Sequence, residues 1–489
     1  MKKTLKVLVV VTAIICGSGI VGAWLTGTQL EGAVQSMVHE TNKKLEVGRA
    51  AFNILAWLEL VSFEQGIFSS TARYRVKYKD ASSVTHSAPL EFIVVDRIEH
   101  GPFPWTRVKN LNLFPVIATS NLSLEKTPST ELLFTGEKNQ SPLQGHVVYG
   151  YSGSTSGQVD LLPIDISLEQ LSLSSSGLSV IFKETGDGRK LRVKSQAEDF
   201  NLRLGDNKQT RLEVQFKNVE LNTDLNKTLH DFYVGSRSIT LGEGKINWRG
   251  SQTQLGLKDL ELKSVSKASG DLMDAQDAYR VGDITLNGKS VASANMSVAV
   301  RDINIPALLS ILSIFDSYSQ NIQRRPGTPL SYDQLYKLKT AAEKYAESKP
   351  YTEWDNLTIK TANGESHFSF ALGINKPSGR AGGFADQIRH TISSVYVDLK
   401  LSKPMLADLL SVQAQLVGTT APEDIPQLAK LGSEMIALKA VETGLAKIEG
   451  NTVMASLVYS AGQVDLNDQK MSVEDFFSVL SPLWDGVSQ

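Results

Sequence analysis

Leu212-Glu213-Val214-Gln215-Phe216-Lys217-Asn218-Val219-Glu220-Leu221 is the stretch on which the reading of the fold turns. Apolar and polar residues alternate as far as Phe216, and the alternation then resumes one position late, at Val219 and Leu221. Strand side chains alternate strictly between two faces, so a strand that keeps both halves on one face must absorb an extra residue, and a β-bulge does that. The same slip separates Leu255 and Leu257 from Leu260 and Leu262, and Val298 and Val300 from Ile303 and Ile305. At each slip stands a basic residue followed by Asn or Asp: Lys217-Asn218, Lys258-Asp259 and Arg301-Asp302. Asn and Asp tolerate left-handed backbone better than other side chains. Lys109-Asn110-Leu111-Asn112-Leu113 repeats the motif. The expectation is a set of long, bulged strands in one curved sheet, with Phe216, Leu257 and Val300 on the same apolar side as candidate ligand-facing positions.

Outward from this stretch, short alternating runs separated by turn residues fill the chain from residue 66 to residue 305, which reads as mostly antiparallel strand. The first of them sets Phe68, Ala72, Tyr74, Val76 and Tyr78 against Arg73, Arg75, Lys77 and Lys79, a half-buried strand with one basic face exposed to water or to an anionic partner. Before it, residues 31–65 are expected to form a membrane-proximal helical segment, because Leu30, Val34, Met37, Val38, Thr41 and Leu45 recur at helical spacing. After it, residues 306–350 read as helical, with Pro306 suited to a helix's first turn. Residues 351–489 alternate between the two: strands at Leu357–Ile374 and Val395–Leu401, helices at Met405–Leu416 and Ile425–Ile448, a hairpin turned at Ala461-Gly462, and a last helix opened by a Ser472/Asp475 capping box. The fold class is α+β, with helices available to cover one sheet face.

Lys2, Lys3 and Lys6 precede a segment without charge from Val7 to Leu30, long enough to cross a bilayer. The positive flank puts the N-terminus in the cytoplasm and everything after about residue 30 in the periplasm, held by a single-pass anchor (1–30) in the inner membrane. Val21-Gly22-Ala23 leaves open cleavage before Trp24. Ser18 with Gly22, and Gly19 with Ala23, are small residues four apart, a candidate contact face between membrane helices. The only cysteine, Cys16, lies in the same segment, so the body has no disulfide. A net charge of -2 offers no general attraction to nucleic acid.

No catalytic or metal-binding constellation stands out, and no cofactor is expected. Seven histidines are scattered without a metalloprotease pair. His100, in Glu99-His100-Gly101-Pro102-Phe103-Pro104-Trp105, reads as part of a rigid turn rather than as an acid or base. Gly150 to Gly157 misses the nucleophile-elbow pattern, because Ser154 and Thr155 fall where Gly and Ser are needed. Gly17-Ser18-Gly19-Ile20-Val21-Gly22 matches a dinucleotide fingerprint only formally, inside the uncharged segment.

Four stretches together resemble the YdgA-like family of bacterial envelope proteins, whose domain is of unknown function. They are Gly22-Ala23-Trp24-Leu25-Thr26-Gly27 with Glu31, Gln65-Gly66-Ile67-Phe68-Ser69-Ser70, His100-Gly101-Pro102-Phe103-Pro104, and Gly462-Gln463-Val464-Asp465-Leu466-Asn467. The chain departs from the pattern at Leu25, Ile67 and Asp468. The resemblance implies an inner-membrane protein facing the periplasm, admits a homodimer, and supplies no catalytic residues. The expected function is non-enzymatic binding or scaffolding in the envelope, with lipid contacted through the anchor and a lipid or other amphipathic ligand on the sheet. The alternative is an envelope-polymer hydrolase whose site is assembled from residues distant in sequence.

Overall fold

The computed structural model describes residues 54–80, 90–134, 140–168, 171–205, 210–248, 254–324, 329–376, 384–417 and 421–485, with part of a helical stretch between residues 31 and 45. The anchor segment and its Ser18, Gly19, Gly22 and Ala23 lie outside the described residues, among which no helix is long and apolar enough to cross a membrane. The architecture is α+β: a large, antiparallel set of strands with helices packed on it. Two compact units divide the chain, residues 1–227 with 237–251 and residues 228–236 with 252–489, so the division cuts through the β-rich stretch expected as one region over 66–305.

In the first unit lie β1 (Ile54–Gln65), β2 (Ser69–Asp80), β3 (Leu90–His100), β4 (Ala118–Leu124), β5 (Leu143–Tyr149), β6 (Thr155–Leu161), β7 (Ile164–Leu168), β8 (Leu171–Ser175), β9 (Leu178–Glu184), β10 (Lys190–Gly205) and β11 (Thr210–Lys227), with a short helix α1 (Trp105–Lys109). Pairing runs β1-β2-β3-β4-β5-β6-β9-β10-β11, and the β7–β8 hairpin joins β10 through β8. From Ala72 to Val76 the alternation read from the sequence holds, with Ala72, Tyr74 and Val76 buried in the core beside Ile98, Val147, Val159 and Phe182, whereas Phe68 lies before β2 and is exposed. Its basic face is matched inside the fold. Arg73 pairs with Glu64 and Glu125 at 3.1 Å each, and Arg75 and Lys77 each reach Glu59 at 3.3 Å.

Strand β12 (Tyr233–Trp248) is divided between the units. The second unit holds β13 (Gln254–Ser269), β14 (Leu272–Leu286), β15 (Lys289–Asn304), β16 (Tyr351–Lys360), β17 (Glu365–Ile374), β18 (Ile392–Ser402), β19 (Lys447–Glu449), β20 (Thr452–Ser460), β21 (Gln463–Leu466) and β22 (Gln469–Ser472). Its helices are α2 (Ile305–Arg324), α3 (Tyr332–Glu347), α4 (Phe384–Thr391), α5 (Lys403–Val417), α6 (Ile425–Glu442) and α7 (Val473–Asp485). Strands β13 to β18 pair in sequence order, β20 follows β18, and β21 and β22 complete the edge. The last helix starts as its sequence demands: Asp475 N donates to Ser472 Oγ at 3.1 Å and Ser472 Oγ donates to Asp475 Oδ2 at 2.6 Å.

At the three slips the backbone is left-handed, with φ of 54° at Asn218, 51° at Asp259 and 57° at Asp302. On β15, Ile303 stands opposite Met273 and Val300 opposite Ala275, so Arg301 and Asp302 together face Asp274, whose Oδ1 accepts from Asp302 N at 2.9 Å. A further bulge was not expected. Asn356 has φ 55°, and β16 gains one residue on β17 between Trp354 and Leu357.

Three expectations are corrected. Lys109–Leu113 is no bulged strand: α1 ends at Lys109, and Leu111 turns left-handed where Asn112 N bonds back to Arg107 O. The expected helical segment 31–65 gives way at Ile54 to β1, whose pairing with β2 wins over the local helical pattern. The helix expected through Ile448 ends at Glu442, and Lys447–Glu449 pairs with β20 instead.

Asp259 sits over Gly282 of β14, where a Cβ would come within 2.9 Å of Asp259 Cβ. Gly282→Ala should therefore destabilise the protein by about 1–3 kcal/mol, the usual range for overpacking. Asp259→Gly in the same chain removes the clashing atoms and should restore part of the loss in thermal melts. An unaffected melt for Gly282→Ala would contradict this packing.

Candidate functional site

Cross-strand pairing sets apolar residues of seven neighbouring strands opposite one another on one face of the second unit. Leu257 stands opposite Ile284 and Leu260 opposite Val281. Val281 then faces Ala294, Tyr279 faces Met296, and Val298 faces Trp354. Trp354 faces Phe370 and Leu357 faces Phe368; these lead to Val397 and Leu399, and Val397 to Leu457. Directly opposed residues share a face, so these residues form one largely apolar surface, interrupted by Asp277, which stands opposite Val298. Leu257 and Val300 both belong to it. Phe216 belongs to the first unit, where its ring stacks on Phe200 at 6.2 Å beside a small core of Ile164, Ile166, Leu173 and Leu202.

Helices meet this face at the two ends of β15. Ile305, Leu308 and Leu309 of α2 and Tyr345 of α3 close over Met273 and Ile303, and Val300 packs against that cluster. At the opposite end Asp408 of α5 accepts from Asn363 Nδ2 at 2.8 Å and from Thr361 Oγ1 at 2.5 Å, on the turn after β16. Between these ends run Ala294, Met296 and Val298, all half-buried, as are Leu257, Leu260, Val281, Leu357, Phe368, Phe370 and Val397. At about 3.3 Å per residue, Ala294 to Val300 spans roughly 20 Å. Tyr279 and Trp354, at the middle of the face, are 38% and 43% exposed, and Trp354 meets Phe370 edge-on at 6.0 Å. Burial and the charge of Asp277 push the Tyr279 phenol above its ordinary range. A fully covered sheet would bury such side chains, so the face is largely apolar with a partly open centre.

Among the described residues no group of His, Cys, Asp and Glu could hold a metal ion. Ser70 Oγ lies 2.9 Å from His100 Nε2, the spacing of a nucleophile and its base, but Ser70 is buried and His100 Nδ1 is held by Ile67 O at 3.0 Å. The pair clamps a turn. Asp96 is buried in the first unit's core, where Ser120 Oγ donates to its Oδ2 at 2.9 Å. Burial raises its carboxyl from 3.8 to about 7.

A raised carboxyl stabilises the fold most below its unfolded value and loses that contribution as pH rises through the folded value. Asp96→Asn cannot ionise. The melting temperature of the variant minus that of the parent should therefore grow from about pH 4 to 7 and level off above; a difference that does not change with pH would contradict the burial of a charge at Asp96.

A family of bacterial proteins of unknown function, DUF945, matches residues 1–474. Protein YdgA of Escherichia coli (strain K12) is 24% identical across 96% of both chains, and the uncharacterized protein YihF of the same organism is 23% identical across 98% of both. An uncharacterized protein of Haemophilus influenzae is 22% identical over 63% of this chain and 83% of its own. No solved structure matches.

Proposed function

The chain belongs to the DUF945 family of bacterial proteins of unknown function, and from that premise we propose that it is a non-enzymatic binding protein of the cell envelope that holds an amphipathic ligand, such as a lipid, in the trough of its second unit. The observation that carries this is the half-open apolar centre of the face, from Leu257 through Met296 to Phe370. An acyl chain suits such a surface because it is apolar along its whole length and needs no polar partner there. Bulges add twist and bend a sheet, so in this reading the bulged positions Asp302 and Asn356 curve the face into a trough.

The envelope location rests on the sequence: Lys2, Lys3 and Lys6 before the uncharged Val7–Leu30 segment make an inner-membrane anchor with the body in the periplasm. Self-association is part of the proposal too. Helix α6 buries Ile425, Ala429, Ser433 and Ala437 but leaves Leu428, Leu431, Met435 and Leu438 exposed, at the 3-4-3 spacing of a helix-pairing seam.

A photoreactive amino acid at position 257 should capture an acyl-chain molecule in cells, read as a mass shift on the peptide. At position 300, which packs against the α2 cluster, and at position 216, beside Phe200, the same residue should crosslink only within the chain. Purely internal crosslinks at all three positions would remove ligand handling and leave scaffolding.

A further inference from the structure

Two of the family-like stretches, Gln65 to Ser70 and His100 to Pro104, come together at one tip of the first unit. His100 joins them: its N donates to Phe68 O at 2.9 Å, its ring bridges Ile67 O and Ser70 Oγ at 3.0 and 2.9 Å. The loop that follows is tightly framed. Gly101 N donates to Ile117 O at 2.7 Å, Val116 N to Pro102 O at 3.0 Å, and Arg107 Nη2 to Asn112 Oδ1 at 2.7 Å. Thr106 N and Oγ1 both donate to the buried Glu99 at 2.8 Å. A side chain at Gly101 would collide with Val116 O, at 1.9 Å.

This rigid frame turns large apolar side chains outward. Ile67, Phe68, Leu111 and Phe114 are each more than 80% exposed, and Trp105 is 64% exposed. Buried core is not the alternative for them, and a soluble monomer seldom shows water so many such groups at one place. From Gly101 to Leu124 the only ionised side chains are Arg107 and Lys109; no Asp or Glu occurs. Lys109 Nζ sits 5.6 Å over the Trp105 ring, a cation beside an aromatic ring. Apolar side chains rimmed by Trp and cations, with the one acid of the frame, Glu99, buried and Glu64 before the turn paired with Arg73, are the composition of segments that lie in a bilayer interface, the rings among the headgroups and the cations against anionic lipid.

We propose that this tip is a membrane-docking element that inserts Ile67, Phe68, Leu111 and Phe114 into the interface of an anionic phospholipid bilayer. The proposal stands apart from the trough, which lies in the other unit, and either can fail alone. It gives the body a second hold on a membrane besides the N-terminal segment.

The test uses the full chain in proteoliposomes, with Cys16→Ser so that a single introduced cysteine carries an environment-sensitive fluorophore. The label goes at Phe114→Cys, and in a control at Leu132→Cys, an exposed position beyond the far end of β4. In vesicles of phosphatidylethanolamine and phosphatidylglycerol the label at 114 should shift to the blue and be quenched by spin-labelled lipid several-fold more than the label at 132. Replacing the phosphatidylglycerol by phosphatidylcholine should lessen both effects. A label at 114 that stays in water in both vesicles overturns the proposal. So does shielding that vanishes when the protein is diluted to one copy per vesicle, because a second copy is then the occupant.

Discussion

Everything distinctive in the second unit depends on a backbone constraint: a single residue per strand held in left-handed conformation within an otherwise extended ladder. Asp259, Asp302 and Asn356 occupy this position in β13, β15 and β16, with φ between 51° and 57°. Without them the side chains beyond each point would change face, because strand periodicity is strictly two. With them, Leu257 and Leu260 stay on one side, as do Val300 and Ile303, and Trp354 and Leu357. Long strands then present apolar side chains on one face along their length. Asn218 does the same in β11 of the first unit, with its side chain 3.1 Å from where a Cβ on Gly242 would lie.

Helices meet that face at the two ends of β15. Helices α2 and α3 bury its Met273–Ile303 end, and α5 is tied to the turn at its other end. The middle is left half-covered, neither core nor ordinary surface. The energetic sense of such an arrangement is that a bound apolar chain would remove from water what the helices leave exposed, at roughly 25 cal/mol per Å². The first unit contrasts with this. Its β2 buries Ala72, Tyr74 and Val76 on one face, and on the other Arg73 and Arg75 find the carboxylates of Glu125 and Glu59.

The left-handed positions were legible in the sequence because a parity slip combined with Asn or Asp is a local signal, and at Asp302 the pairing takes the extra residue, whereas β10–β11 and β13–β14 stay in step across Asn218 and Asp259. The bulge at Asn356 carries the same Asn-aliphatic-polar-aliphatic run, Asn356-Leu357-Thr358-Ile359, but Asp355 stands where the other copies have a base, and a strand begun at Leu357 hides the slip. Conversely, Lys109 to Leu113 has the motif without an alternating run before it, and there the chain turns out of a short helix. Ile54 to Gln65 looks helical or extended by period alone; pairing with β2 decides it. The openness of the trough was not legible, since a strand reports which side is apolar and not what covers it. Nor was the tip. Phe68 reads as the first inward residue of β2, yet it lies just before the strand begins and is 84% exposed.

The central claim, that the half-open face holds an amphipathic molecule, meets its most direct test in native mass spectrometry of the full-length protein extracted in mild detergent and exchanged until free lipid is gone. The account predicts a retained adduct of acyl-lipid mass on the parent chain, and its loss or strong reduction in Met296→Gln, which puts a polar group at the centre of the face with little change in size, while the melting temperature is kept. A parent chain that carries no adduct, or an adduct that Met296→Gln leaves unchanged, would contradict it.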